Sequence, residues 1–254
     1  SFAVAQKEPT RSDFTDRYKF AADDTYPSSE KLYDWELGYQ YTAPRLSLGV
    51  NLYYMKYKDQ LVPTGMVNDD SNALNTNVPD SYRRGVELSA SWRATGWFTV
   101  GANATFSQNR IENYVDALKD SPTYGKELGD MTIAYSPDVI ANAFLNFHHR
   151  GFEAVFHTQH VGKQYFTNNE NDALSLDAYC VTNLNLAYTF RTRSARSVRL
   201  GLLINNLFNA EYESNGYGYS YMDTWSGPAP VRIDEAYYFP QAPLNVLANV
   251  TVKF

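Results

Sequence analysis

The stretch Asn245-Val-Leu-Ala-Asn-Val-Thr-Val-Lys-Phe254, with Leu244 before it, alternates between apolar and polar side chains up to the last residue. Its apolar face carries Leu244, Val246, Ala248, Val250, Val252 and Phe254. A strand of about ten residues with one apolar face is long enough to cross a bilayer when tilted. In a soluble sandwich, a second sheet would cover that face. The rest of the chain must therefore decide between the two architectures.

Composition narrows the classes of protein. The chain has 254 residues, a net charge of -6 and 21 Tyr, so a nucleic-acid surface is not expected. Cys180 is the only cysteine, which excludes an intrachain disulfide and a zinc cluster built from thiolates. No apolar run approaches about 18 residues, and the start at Ser1 shows no secretory signal pattern. If the protein lies in a membrane, strands are expected to cross it.

The alternating pattern recurs along the whole chain. It predicts a short strand tail over 2–5 and a terminal strand over 245–254. The strands predicted between them are 32–41, 46–57, 82–92, 97–108, 141–147, 152–161, 178–190 and 198–208. About ten strands are therefore predicted. The row Leu46, Val50 and Tyr54 belongs to their apolar face, which would contact lipid in a barrel and a second protein layer in a sandwich.

The connections alternate strictly in length. Short turns are predicted at 43–45, 93–96, 149–151 and 191–196, and long loops at 58–81, 109–137, 162–177 and 209–242. All short turns then lie at one end of the strands, which is typical of transmembrane β-barrels. The predicted fold is all-β, an antiparallel transmembrane β-barrel. The aromatic girdle at the strand ends is assigned to Tyr33, Trp92, Phe147, Tyr188, Phe190 and Phe254.

An open sheet edge cannot face hydrocarbon, because its N–H and C=O groups would be unpaired. The short first strand and the missing signal therefore indicate the C-terminal part of a larger barrel. Small residues on the polar face are expected to leave room for a wide lumen, and they are Gly38, Gly49, Gly85, Ser89, Gly101 and Gly201.

Several segments resemble TonB-dependent outer-membrane receptors, in particular the last third of such receptors from Bacteroidetes-like bacteria. The resemblance covers nearly the whole chain, and its more specific part is Asn205-Asn-Leu-Phe-Asn209 combined with the terminal Phe254. The other segments that carry it are Glu36-Leu-Gly-Tyr39, Arg84-Gly-Val-Glu-Leu88, Val161-Gly-Lys-Gln-Tyr165, Glu211-Tyr-Glu-Ser-Asn-Gly216 and Phe239-Pro-Gln-Ala242.

The resemblance implies about ten C-terminal strands of a 22-strand barrel in a Gram-negative outer membrane, closed by a plug domain. It implies uptake of a scarce ligand, driven by the TonB complex, and no cofactor. Residues 1–254 would be the C-terminal barrel portion, without the plug, the TonB box or the first strands. Loops shorter than those of glycan importers favour a ferric siderophore, haem or cobalamin-like chelate. Implied partners are the rest of the barrel, the plug, TonB, lipid and the barrel-assembly machinery; a surface lipoprotein is a further candidate.

The resemblance and the residue chemistry together suggest three groups of functional residues. Glu36 and Glu87 are expected to face the lumen, where they either contact the plug or are hydrated wall residues, and Phe254 is expected to act in membrane insertion. Aromatic residues of the 209–242 loop are expected to stack on the ligand; packing on one another to order the loop is the alternative. They are Tyr212, Tyr217, Tyr219, Tyr221, Trp225, Tyr237 and Tyr238.

Enzyme signals are poor, and neither catalytic nor metal-binding residues are predicted. His157 and His160 are three apart, so on a strand they lie on opposite faces. The segments 68–72 and 168–172 are rich in oxygen ligands, but neither has EF-hand spacing, and solvated loops are expected. Two alternatives stay open: a small closed barrel acting as a protease or lipid hydrolase, and a soluble carbohydrate-binding β-sandwich.

Overall fold

The computed structural model describes residues 1–15, 26–68 and 72–254. Within these ranges no helix has the length and apolar character needed to span a membrane. The helical elements in this part are α1 (Arg11–Thr15) and a 3-10 turn (Asp172–Leu174). The strands are β1 (Phe2–Lys7), β2 (Glu30–Thr42), β3 (Leu46–Val67), β4 (Ala73–Arg93), β5 (Phe98–Ile111), β6 (Met131–Thr132), β7 (Val139–His149), β8 (Phe152–Val161), β9 (Gln164–Tyr165), β10 (Ser175–Leu176), β11 (Tyr179–Phe190), β12 (Ser197–Asn205), β13 (Glu213–Asp223), β14 (Val231–Pro240) and β15 (Asn245–Lys253).

One large antiparallel sheet forms the body of the protein. Its order is β1-β2-β3-β4-β5-β7-β8-β11-β12-β15, and β6 pairs with β5 as an eleventh strand. The prediction of an antiparallel barrel wall of about ten strands is confirmed. Strands β1 and β15 are the two edges, so the sheet is part of a barrel rather than a closed one.

The apolar face of the sheet is uncovered. Leu48, Val50, Leu52 and Tyr54 of β3 expose 42%, 36%, 46% and 38% of their surface, whereas the odd-numbered residues between them are half-buried. Among the residues that the structure describes, no second layer covers this row, which argues against the soluble sandwich. An exposed apolar row of this length is typical of a surface that meets acyl chains or another protein surface.

The short turns lie at one end of the sheet, as predicted. Arg150 and Gly151 join β7 to β8 in two residues with φ of 48° and 84°, the conformation that tight hairpins prefer. A Cβ on Gly151 would lie 2.3 Å from the carbonyl oxygen of Thr189, so glycine is required there. Lys253 pairs with Ser197 beside the turn between β11 and β12, which places the chain's last residues at the same end.

The interpretation of 58–81 as a long polar loop is wrong. Strands β3 and β4 continue their pairing through Pro63 and Asn75 and project well beyond the other strands. From Leu48 to Tyr54 the even-numbered side chains of β3 are the exposed ones, but Gln60, Val62 and Thr64 are buried. Asp59, with φ of 55°, lies where burial changes from the odd-numbered to the even-numbered side chains of β3. The apolar–polar alternation is therefore interrupted there, and the sequence pattern does not predict that the strand continues.

A small core covers the inner side of this projecting hairpin. Val62 and Val78 pack with Ile111, Tyr114 and Ile133, and the last two come from the segment that joins β5 to β7. Residues 112–138 are therefore folded onto the hairpin rather than extended into solvent. The interpretation of 209–242 as a loop is also incomplete, because β13 and β14 form a separate two-stranded sheet within it.

Candidate ligand-binding surface and lumen

The hairpin β13–β14 is seated on a compact cluster at the long-loop end. Phe166, Leu174 and Leu176 are buried there, and Ala236 of β14 packs against them. Cβ atoms placed on Gly216 and Gly218 would lie 2.7 Å and 2.9 Å from the ring of Phe166. Both positions need glycine because the backbone of β13 rests directly on that ring. One face of the hairpin is thus fixed to the barrel, and the opposite face is free to present side chains.

That opposite face carries a row of tyrosines. Tyr217 pairs with Tyr237, and Tyr219 with Glu235, so their side chains share one side of the hairpin. The rings of Tyr217 and Tyr237 stack with centroids 4.9 Å apart and planes 15° apart. Tyr219 lies 6.4 Å from Tyr237 and 6.5 Å from Tyr221. We call Tyr217, Tyr219, Tyr221, Tyr237 and Glu235 the tyrosine face.

Glu235 connects the phenol groups of this face. Its carboxylate accepts hydrogen bonds from the hydroxyls of Tyr219 at 2.6 Å, Tyr237 at 2.9 Å and Tyr221 at 3.3 Å. The bonds from Tyr219 and Tyr237 lower the pKa of Glu235 below its ordinary value, and the bond to Glu235 raises the pKa of Tyr219. At neutral pH the face therefore presents neutral rings oriented by one ionised carboxylate.

The remaining predicted aromatics lie elsewhere on the loop. Tyr212 stacks on Tyr179 of β11 at 4.6 Å, and Tyr238 is directed to the seated side, 5.8 Å from Phe166. Trp225, at the tip, exposes 77% of its surface. The structure therefore brings together Tyr217, Tyr219, Tyr221 and Tyr237, and it separates Tyr212, Trp225 and Tyr238 from them.

The segment 168–172 is an anchor, which corrects the expectation of a solvated loop. Asn168 is fully buried, donates to the carbonyl of Pro63 at 2.6 Å and accepts from the N–H of Ala134 at 2.7 Å. Glu170 accepts from the N–H of Thr132 at 3.0 Å and forms an ion pair with Arg110. These hydrogen bonds and the ion pair hold the loop to β3, β5 and β6. In the segment 68–72, residues 69–71 lie outside the described residues.

Both predicted lumen carboxylates line the same concave region of the sheet. Glu36 lies opposite Tyr53, and Glu87 lies opposite Asn51, whose amide donates to Glu87 at 3.2 Å. Glu36, Asn51 and Glu87 share one cleft with Thr105. This cleft is lined mainly by polar side chains, and the two carboxylates lie on the same face of the sheet.

Four of the small inward residues do not leave space. A Cβ on Gly85 would lie 2.6 Å from the hydroxyl of Tyr53, and one on Gly101 would lie 2.4 Å from the ring of Phe144. A Cβ on Gly49 would lie 2.5 Å from the hydroxyl of Ser89, and one on Gly201 would lie 2.6 Å from the side-chain amide of Asn249. The expectation that small residues mark open lumen is therefore wrong at these four positions.

The histidines do not converge. His157 lies opposite Phe144 and Asn183, whereas His160 lies opposite Ala141 and Cys180, and their odd spacing along β8 puts them on opposite faces. In the described part of the chain, no group of three His, Cys, Asp or Glu side chains is arranged to hold a metal ion.

Sequence reasoning missed Glu235 and Phe166. A signal for the first was present, because Tyr217, Tyr219 and Tyr221 alternate with small residues and Glu235 alternates with Tyr237, which is the period of a strand. Phe166 gave no such signal. It lies in an irregular segment, and its role depends on a hairpin about fifty residues later in the chain.

Solved structures share this architecture. The ferric yersiniabactin uptake receptor FyuA from Yersinia pestis is 19% identical, with a TM-score of 0.65 over 100% of this chain and 34% of that chain. The copper transporter OprC is 19% identical, with a TM-score of 0.67 over 100% of this chain and 36% of that one. The siderophore receptor PiuA from Acinetobacter baumannii is 12% identical, with a TM-score of 0.66 over 98% and 32%.

At these identities the likeness shows the fold, and the chain spans about a third of the length of each of these structures. The family model described as TonB dependent receptor-like, beta-barrel matches residues 6–207. That match includes every wall strand from β2 to β12, with their short turns at one end and long loops at the other. The chain belongs to the TonB-dependent receptor β-barrel family.

Proposed function

We propose that this chain is the C-terminal part of the barrel of an outer-membrane receptor, whose plug domain and remaining strands complete the wall. The receptor would capture a scarce ligand from outside and import it with energy from the TonB complex. Membership of the family supports this proposal, as do the uncovered apolar face and the siderophore and copper transport named for the similar structures. This function requires no chemistry from the chain itself, and we propose that it is not an enzyme.

The ligand proposed is a metal chelate with flat, conjugated or aromatic parts, such as a ferric siderophore, a haem or a cobalamin-like chelate. The observation that carries this proposal is the tyrosine face, where Tyr217 and Tyr237 already stack at 4.9 Å. Aromatic rings held in a row offer a rigid surface on which a planar ligand can stack at little entropic cost. Glu235 fixes the orientation of three of the four phenols.

The test measures binding to the intact receptor by titration calorimetry. The probes are a ferric catecholate, a ferric hydroxamate, haemin, cyanocobalamin and an oligosaccharide. The double variant Y217A/Y237A is expected to weaken binding of one chelate by about 2 kcal/mol, which is more than tenfold in Kd. The control is Y188A, which removes a ring from the apolar face of β11. If only the oligosaccharide binds, or if the double variant binds every probe as the parent does, the proposal is wrong.

For the lumen we propose that Glu36 and Glu87 contact basic side chains of the plug. The two carboxylates line one cleft on the inner wall, where a cationic surface would gain charge-assisted hydrogen bonds. In the intact receptor, E36Q/E87Q is expected to increase hydrogen exchange in the plug, whereas E127Q, in an outer loop, should not. Equal exchange in the two variants would contradict the contact.

The remaining partners are proposed from the family. The barrel-assembly machinery would recognise the last strand, including Phe254, and lipid would cover the apolar face. A surface lipoprotein is a further proposed partner, which would bind the outer loops; we assign no specific residues to that contact. The variant F254A is expected to lower the amount of receptor inserted in the outer membrane without changing its total synthesis; unchanged insertion would refute the role of Phe254.

A further inference from the structure

Charge is distributed very unevenly between the two ends of the sheet. The short-turn end carries seven basic residues: Arg45, Arg93, Arg150, Arg191, Arg193, Arg196 and Lys253. None of the chain's 28 Asp and Glu residues lies in these turns, although the net charge of the whole chain is -6. All seven basic residues are exposed. We call this set the basic rim.

The positions of the turns show that these residues form a rim and not a single pocket. The N–H of Arg93 donates to the carbonyl of Arg45 at 2.8 Å, so two neighbouring turns are joined there. Arg150, Arg191, Arg196 and Lys253 line one further cleft. Six strand spacings separate the β2–β3 turn from the β11–β12 turn, which is roughly 30 Å along the sheet at about 4.8 Å per strand.

Aromatic side chains lie immediately next to the basic rim on the apolar face. Tyr and Trp rings at such positions mark the level where acyl chains meet head groups. Those at this end of the wall that expose 45–51% of their surface are Tyr41, Trp92, Trp97, Phe152 and Tyr188. The basic residues therefore lie at, or just beyond, the head-group level of the membrane.

We propose that the basic rim binds the head groups of anionic phospholipids in the leaflet that surrounds the short turns. A leaflet is the partner that can contact all four turns at once, because its head groups form a plane around the barrel. Exposed cations at a membrane surface attract acidic lipids through the local negative potential. At this end Arg199 donates two hydrogen bonds to Glu153, at 3.0 Å and 2.6 Å, and neither residue belongs to the basic rim, so this ion pair does not neutralise its charge.

The test uses the intact receptor in dioleoylphosphatidylcholine vesicles that contain a trace of spin-labelled phosphatidylglycerol or spin-labelled phosphatidylcholine. Electron paramagnetic resonance gives the fraction of each lipid immobilised at the protein surface. Phosphatidylglycerol is expected to be preferred by about threefold at low salt, and the preference should fall at high salt. The variant R191Q/R193Q/R196Q is expected to lose most of the preference.

A charge-matched control separates the rim from net charge. The variant K119Q/K126Q/K163Q removes three cations from the long-loop end and should keep the preference. Circular dichroism and heat stability should show that both variants remain folded. An excess of soluble glycerophosphate should not displace the lipid, because it lacks acyl chains.

Each of several results would overturn the proposal. They are an absence of preference in the parent, full preference in the rim variant, equal loss in both variants, and displacement by glycerophosphate, which would indicate a free-phosphate site. A failure of the receptor to bind any chelate would leave this result unaffected, since the lipid assay contains no ligand.

Discussion

Replacing Phe166 by alanine should release the hairpin β13–β14 from the barrel. Phe166 is 2% exposed and lies 5.8 Å from the rings of both Tyr135 and Tyr238, and the backbone at Gly216 and Gly218 rests on it. Replacement of a buried phenylalanine by alanine costs about 3–5 kcal/mol. Strands β13 and β14 pair only with each other among the described residues, so the hairpin is held to the barrel by this buried cluster and by contacts of β13 with β3.

The effect should be local. An isolated two-stranded hairpin is marginally stable in water, so the loss of its seat should allow the hairpin to open while the wall strands stay folded. At about 1.4 kcal/mol per tenfold change, a loss of about 3 kcal/mol increases amide exchange roughly a hundredfold. Hydrogen–deuterium exchange of the intact receptor in micelles measures this over residues 213–223 and 231–240.

The matched control is F106A, which removes a half-exposed ring from the apolar face of β5. In F106A, the amides of the hairpin β13–β14 should exchange at the rates found in the parent. The amides of the wall strands should exchange at the same rates in the parent, F166A and F106A. If F166A leaves hairpin exchange within about twofold of the parent, or if the whole sheet loosens, then the hairpin is not held by the Phe166 cluster.

Three further predictions concern the loops and turns. The variant E235Q should lower the pKa of Tyr219 toward the ordinary value, because the ionised acceptor is lost; an ultraviolet difference titration against the parent should show earlier phenolate formation, and superimposable curves would contradict this. Burial alone would raise the pKa of Glu170, but hydrogen bonds from Thr132 and the charge of Arg110 lower it overall, so its contribution is present above the unfolded value of about 4.3 and is lost as pH falls through the lower folded pKa. Protection factors over residues 166–174, which remove the intrinsic pH dependence of amide exchange, should therefore fall in acid in the parent, whereas those of E170Q should be low throughout and change little with pH; equal acid responses would refute the role of Glu170. The variant G151V should destabilise the barrel by at least about 2 kcal/mol because of its positive φ and the contact with Thr189, whereas G96A, which meets no atom within 4 Å, should unfold at the parent's temperature; equal unfolding temperatures would contradict the turn geometry.

The strands of the barrel wall could be predicted because each of them alternates between apolar and polar side chains. Val50 and Asn51 alternate because one meets the apolar surroundings and the other the lumen, and this alternation is visible in the sequence. The pattern fails at Asp59, where a left-handed backbone conformation changes the covered face. The sequence carries no period-two signal across that point, so the projecting part of β3 and β4 was predicted as loop.

The candidate site was predicted only in part, for a different reason. The tyrosines of 209–242 stand out by composition, but their grouping depends on the register of β13 against β14, which puts Tyr219 opposite Glu235. The anchor at Asn168 depends on Pro63, more than a hundred residues away in the chain. Contacts of that range are set by the fold as a whole, and local patterns do not contain them.

The central claim is that the apolar face of the sheet meets acyl chains and the polar face lines the lumen. Spin labels at single cysteines test it most directly, with Val50→Cys and Leu52→Cys on the apolar face, Asn51→Cys on the polar face, and Cys180→Ser as background. In lipid vesicles, the labels at 50 and 52 should be relaxed by oxygen and protected from a water-soluble nickel chelate, and the label at 51 should show the reverse. Labels at 50 and 52 that are shielded from oxygen, or that respond as the label at 51 does, would contradict the account.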